Sequence, residues 1–156
     1  MRRTILAVLF VAFILNGTPP AEHHPNTFYV QLVRGNNDDA PPQPGSRPVG
    51  IKVARHLRSA LNWKNYWEVN RQQVAVCSGK AARVCLSKER AVEIDLSNRN
   101  RRKVTAFENG RIVQRLCRPV GGGMTVIGGE RDEGSAWFIV VRRDPPADQG
   151  VDFTEP

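Results

Sequence analysis

Lys103-Val104-Thr105-Ala106-Phe107-Glu108-Asn109-Gly110-Arg111-Ile112-Val113-Gln114-Arg115-Leu116 decides the fold class. Two runs rich in β-branched and aromatic residues flank Asn109-Gly110, the dipeptide best suited to a two-residue hairpin. A type I′ turn needs positive φ at both central positions, and Asn followed by Gly supplies it at least steric cost. The stretch therefore predicts an antiparallel hairpin over Lys103–Glu108 and Arg111–Leu116.

Upstream, Ala82-Arg83-Val84-Cys85-Leu86 and Ala91-Val92-Glu93-Ile94-Asp95-Leu96 carry apolar residues at even positions and mostly polar ones at odd positions. That alternation marks strands with one face in a core and one in water. Tyr66 to Val76 is a further strand, with Trp67 and Val69 in one phase and Val74 and Val76 in the other, so a bulge is expected near Gln72-Gln73. Phe28-Tyr29-Val30-Gln31-Leu32-Val33-Arg34 reads as a strand buried on both faces. Between them, Val53, Ala54, Leu57, Ala60 and Leu61 recur at helical spacing within Ile51–Leu61, opposite Lys52, Arg55 and Arg58. Downstream, Met124 to Ile127 and Ala136 to Val141 form a last pair around the loop Gly128 to Gly134. The expected fold is mainly β, a compact antiparallel sandwich or open barrel of about seven to eight strands with one short helix. An α+β arrangement is the alternative.

Outside this body the composition changes. Met1-Arg2-Arg3-Thr4, the apolar run Ile5 to Leu15 and the small-residue stretch Asn16 to Ala21 follow the order of a secretory signal peptide. The run is too short to span a bilayer as a helix, which needs roughly 20 apolar residues. Residues 1–21 are thus expected to be a leader, 22–27 a flexible start, 28–143 one β-rich domain and 144–156 a disordered acidic tail. Asn36 to Pro48, full of Asn, Asp, Pro and Gly, is expected to be a mobile loop within that domain. The product is expected to be secreted or periplasmic, with no stable membrane span after processing. Processing after Ala21 would expose Glu22-His23-His24, whose amine, amides and imidazole form a square-planar set suited to Cu(II) or Ni(II).

Recognisable catalytic motifs are mostly absent from the sequence. There is no phosphate loop, no His-Glu-x-x-His and no Gly-x-Ser-x-Gly, and Gly121-Gly122-Gly123 leads into a strand rather than a helix. His56 is the one histidine inside the predicted domain, beside Arg55 and Leu57 on a helix, and reads as a packed or solvated residue. Glu93 and Asp95 share a strand face about 7 Å apart, within the range of a carboxylate pair, but that face is the solvated one and Arg83 is a ready partner. Cys77 and Cys85 bracket a predicted tight turn and are candidates for a disulfide in an oxidising compartment, which leaves Cys117 odd. No cofactor, resident metal or catalytic residue is assigned.

Charge is the most informative remaining feature. Of 156 residues, 23 are Lys or Arg and 15 are Asp or Glu, a net +8. Residues 47 to 118 hold 17 basic against 5 acidic side chains, whereas 119 to 156 hold 3 against 7. Lys52, Arg55 and Arg58 on the helix, with Arg99, Arg101, Arg102 and Lys103, form a candidate polyanion-binding patch. Trp63, Tyr66 and Trp67 lie among cations and are candidate aromatic contacts, though core packing at a strand entry is the stronger reading. The reading that joins export, a sheet-rich body and missing catalytic motifs is a non-enzymatic module binding a protein of the envelope or extracellular space. A polyanion binder, of nucleic acid or acidic polysaccharide, is a second reading. A small hydrolase using Glu93, Asp95 and His56 is a third.

Overall fold

The structure, a computed structural model, describes residues 25–132 and 134–146, without the side chains of residues 129–132. The predicted leader, the Glu22-His23-His24 terminus and the tail from residue 147 lie outside the described residues. Within them the chain runs β1 (Asn26–Asn36), β2 (Arg47–Pro48), α1 (Ile51–Arg58), β3 (Asn65–Val76), β4 (Ala81–Cys85), β5 (Arg90–Asp95), β6 (Arg101–Glu108), β7 (Arg111–Pro119), β8 (Thr125–Asp132) and β9 (Ser135–Arg142).

These strands form two wholly antiparallel sheets, a five-stranded one in the order β2-β3-β1-β9-β8 and a four-stranded one in the order β4-β5-β6-β7. The fold is the expected mainly β sandwich. Successive side chains of a strand point to opposite faces, and β9 uses both. Trp137, Ile139 and Val141 join Val30, Val92, Ile94 and Val104 in the core between the sheets, while Ala136, Phe138 and Val140 pack under α1 with Val53 and Leu57. The molecule is therefore layered as helix, five-stranded sheet, four-stranded sheet. β9 is buried along its whole length because it lies in the middle layer.

The predicted hairpin is β6–β7, with Asn109 at φ 49° and Gly110 at φ 78° in its turn. Five local expectations need correction. The β3 bulge lies at Val69, between the pairs Leu32–Asn70 and Val33–Glu68, and not near Gln72-Gln73. There it lets Glu68 face the helix layer while Val69 packs into the inter-sheet core. The 36–48 segment is fastened to the fold. Asn37 Oδ1 accepts from the Lys64 N–H, Asp38 O accepts from Asn65 Nδ2, Asp39 pairs with Lys64, and Arg47–Pro48 pairs with β3. Its polar residues supply those partners, which a composition argument about burial overlooks.

No disulfide joins Cys77 and Cys85. Cys77 O accepts from the Lys80 N–H at the start of the turn, whereas Cys85 ends β4. At roughly 3.3 Å per residue the strand carries Cys85 about 13 Å beyond that turn, past the ~7 Å Cα limit for a bridge. Ladder pairing extends the last hairpin through Arg131–Ala136 and Asp132–Ser135, so most of the expected Gly128–Gly134 loop is strand. The ordered body also overruns its expected limits, since Asn26 pairs with Val76 and Asp144 is bound by Lys52 and Arg142.

Candidate functional site

The seven cations proposed as one patch are divided by the layers. α1 covers one face of the five-stranded sheet, and Lys52, Arg55 and Arg58 project from it. Arg101 and Lys103 lie on the outer face of the other sheet, with Arg99 in the exposed turn before β6. With layers about 10 Å apart, the two groups are separated by about 20 Å of packed protein. Lys52 is in addition engaged by Asp144 at 2.7 Å, and Lys103 by Asp95 at 2.5 Å.

Arg102 is the clearest correction. It sits between outward Arg101 and Lys103, so strand alternation turns it into the core, where it is fully buried. Its Nη2 donates to Gly123 O and to Thr125 Oγ1, both at 2.8 Å, and its guanidinium carbon lies 5.4 Å from the Phe28 ring centre. Nε and Nη1 are buried without partners among the described residues. Desolvation, with repulsion from Arg143 and Arg118, pulls its basicity below the usual arginine value. It cannot meet a polyanion at the surface.

The aromatic trio is likewise mostly structural. Tyr66 is buried, and its hydroxyl donates to Leu61 O at 2.9 Å. Trp63 lies over Gly35 so closely that a Cβ there would meet its Cδ1 at 2.8 Å. Trp67 is half-buried, with Nε1 donating to Asn36 Oδ1 at 3.0 Å. It stands in one cross-strand row with Arg34 of β1 and Trp137 of β9.

The carboxylates on β5 behave as a charge ladder. Glu93 is paired in register with Arg83 and with Thr105, and Asp95 with Lys103. Hydrogen bonds from Lys103 and from Ser97 bring the Asp95 carboxyl down to about 2. A group held ionised in this way does not suit a general acid near neutral pH. His56 is exposed on α1, in a different layer from both carboxylates, so the residues of the hydrolase reading do not converge. Among the described residues no three His, Cys, Asp or Glu side chains gather as a metal site.

What sequence reasoning missed is the outer face and edge formed by β6 and β7. Among the described residues β7 ends the four-stranded sheet, with β6 on one side and no strand on the other. It is nine residues long, against five for β4 at the opposite edge. Ile112 and Val113 are 52% and 46% exposed, the largest apolar exposures beside Ile51 among the described residues. A second bulge, between the pairs Ala106–Gln114 and Phe107–Ile112, causes this by turning Ile112 to the outer face with Phe107. The Arg83 guanidinium lies 3.9 Å from the Phe107 ring centre, so this apolar corner is also cationic. Arg111, Arg115 and Arg118 on the same strand are exposed, and among the described residues no carboxylate pairs with them. A signal was present in the sequence: adjacent Ile112-Val113 cannot both face the core from a regular strand.

Comparison of the chain with protein-family models, with curated proteins and with solved structures finds no match. Among the described residues no helix is long and apolar enough to cross a membrane.

Proposed function

We propose that this chain is an exported, non-enzymatic binding module that recruits an acidic, extended segment of an envelope or extracellular protein onto β7. The observation that carries the reading is that, among the described residues, a nine-residue strand ends its sheet with no strand paired on its far side, with Ile112 and Val113 exposed and three arginines without ion pairs. An edge strand offers unpaired N–H and C=O groups to an incoming strand, whose side chains then set specificity. Arginine along the edge disfavours pairing with a second copy of the same strand, because like charges oppose one another across the new ladder. The same arginines favour a strand that alternates acidic and apolar residues. Export rests on the residue order of the first 21 positions.

The test is titration of the protein with a synthetic peptide alternating Glu and Val, compared with its Lys–Val counterpart and with polyphosphate. The Glu–Val peptide is expected to bind saturably, to weaken at least tenfold between about 50 and about 200 mM salt, and to fail with Arg111→Glu/Arg115→Glu. Equal binding of both peptides would sink the reading. Polyphosphate binding that survives that double substitution, with no peptide binding, would favour the polyanion reading through Arg99 and Arg101 instead.

A further inference from the structure

A separate cleft opens where the inner face of the five-stranded sheet meets the β4–β5 turn. Its volume is about 320 Å³, at the lower end of the range of small-molecule sites. Leu32, Val69 and Trp137 provide an apolar wall, and three cations, Arg34, Lys88 and Arg90, line it against one carboxylate, Glu89. Two of the three cations keep their charge for a ligand. Arg90 is neutralised by Glu108 at 2.8 Å and Glu89 at 3.2 Å while its guanidinium lies over the Trp137 ring at 3.9 Å. Lys88 is exposed and has no ion pair among the described residues. Arg34 is half-buried, and its Nε and Nη2 donate only to the neutral Ser135 hydroxyl, at 3.1 and 2.8 Å. Among the described residues Nη1 keeps no protein acceptor and no carboxylate forms an ion pair with the guanidinium; Asp38 lines the adjoining cleft that Arg34 also borders. In the same wall, Trp137 Nε1 and Arg90 Nε are buried donors without acceptors among the described residues.

A half-buried, unneutralised guanidinium is an electrostatic cost unless an anion completes it. Beside it here are an apolar wall and room for a small body. We infer that the cleft binds a small organic carboxylate, its anionic group on Arg34 and its apolar body against Leu32, Val69 and Trp137. Phosphate or sulfate would satisfy the charge but leave the apolar wall unused. The register explains the placement: Arg34 and Trp137 are direct cross-strand partners on the inner face, and the Val69 bulge brings the third wall residue to the same opening.

The experiment is calorimetric titration of the protein with benzoate, with benzamide as the uncharged counterpart and with inorganic phosphate. Benzoate is expected to bind saturably, roughly tenfold or more tightly than either alternative. Arg34→Gln is expected to remove that preference, and Val69→Trp to block benzoate by filling the cleft, each variant being checked for native far-UV circular dichroism. Arg111→Glu/Arg115→Glu must leave benzoate binding unchanged, which separates this site from β7. Equal binding of benzoate and benzamide, phosphate binding as tight as benzoate, a folded variant of either kind that binds like the parent, or no saturable binding overturns the inference.

Discussion

Glu68 ties three strands of one sheet together. It is 3% exposed, and three side chains converge on it. Gln31 Nε2 donates to Oε2, Arg47 reaches Oε1 at 2.8 Å from β2, and Arg71 reaches Oε2 at 2.7 Å from its own strand. A buried carboxylate so surrounded cannot be removed cheaply, because Arg71 and Arg47 lose their counter-charge and the Gln31 amide its acceptor. Glu68→Leu is expected to destabilise the fold by about 3 kcal/mol in urea unfolding. Arg47, exposed at its outer end, is then expected to release β2 from the sheet, read as faster amide exchange of residues 46–49.

Asp95 gives the residue-scale pH dependence. Its carboxyl titrates at about 2 in the fold, against about 3.9 in an unfolded chain. A depressed acid contributes stability above the unfolded value and loses it as pH falls through the folded one. The thermal midpoint is thus expected to fall between about pH 4 and about pH 2, and to fall less in Asp95→Asn. An identical slope in the variant would remove this residue from the acid response. Asp144 shifts in the same direction through its Arg142 and Lys52 bonds, so a residual slope is expected in Asp95→Asn.

At the scale of the element, the β6–β7 hairpin shows how a short signal fixes a register. Gly110 has φ 78°, and a Cβ added there would meet nothing within 4 Å, so only backbone strain opposes a side chain. Gly110→Ala is expected to cost about 1 kcal/mol in denaturant unfolding. The neighbouring Arg111, Arg115 and Arg118 are exposed. The same element shows where pattern reading stops. Alternation identified both strands, yet it did not reveal that the Val113 bulge turns Ile112 outward, because a bulge is chosen by the fit of two strands and not by either alone.

Helix α1 teaches the complementary lesson. Its buried face, Val53, Ala54 and Leu57, follows directly from spacing, whereas the sheet face that it covers does not. Trp63 is legible in the sequence only as an aromatic among cations, and its packing against Gly35 needs the segment between α1 and β3 to meet β1.

At the scale of the whole molecule, layering decides which charges act together. The sequence places seven cations in two short clusters, but β1 and β9 form a middle layer buried on both faces, which sends α1 and β6 to opposite outsides. Net charge remains a property of composition, while a patch is a property of the layer order. The cleft has the same origin, since Arg34, Val69, Lys88 and Trp137 come from three strands of one sheet and a turn of the other.

By itself, the sequence determined the elements: the eight longer strands, the amphipathic helix, the Asn109-Gly110 turn and the basic balance. These depend on contacts between near neighbours, where periodicity and turn geometry act directly. Only the tertiary structure decided that Arg102 is core, that Cys77 and Cys85 stay apart, that β7 ends its sheet among the described residues and that Arg34 borders a cleft. Each of those depends on strand order, bulge position or which sheet a strand joins. Such quantities arise from packing between segments far apart in the chain, and no local pattern encodes them.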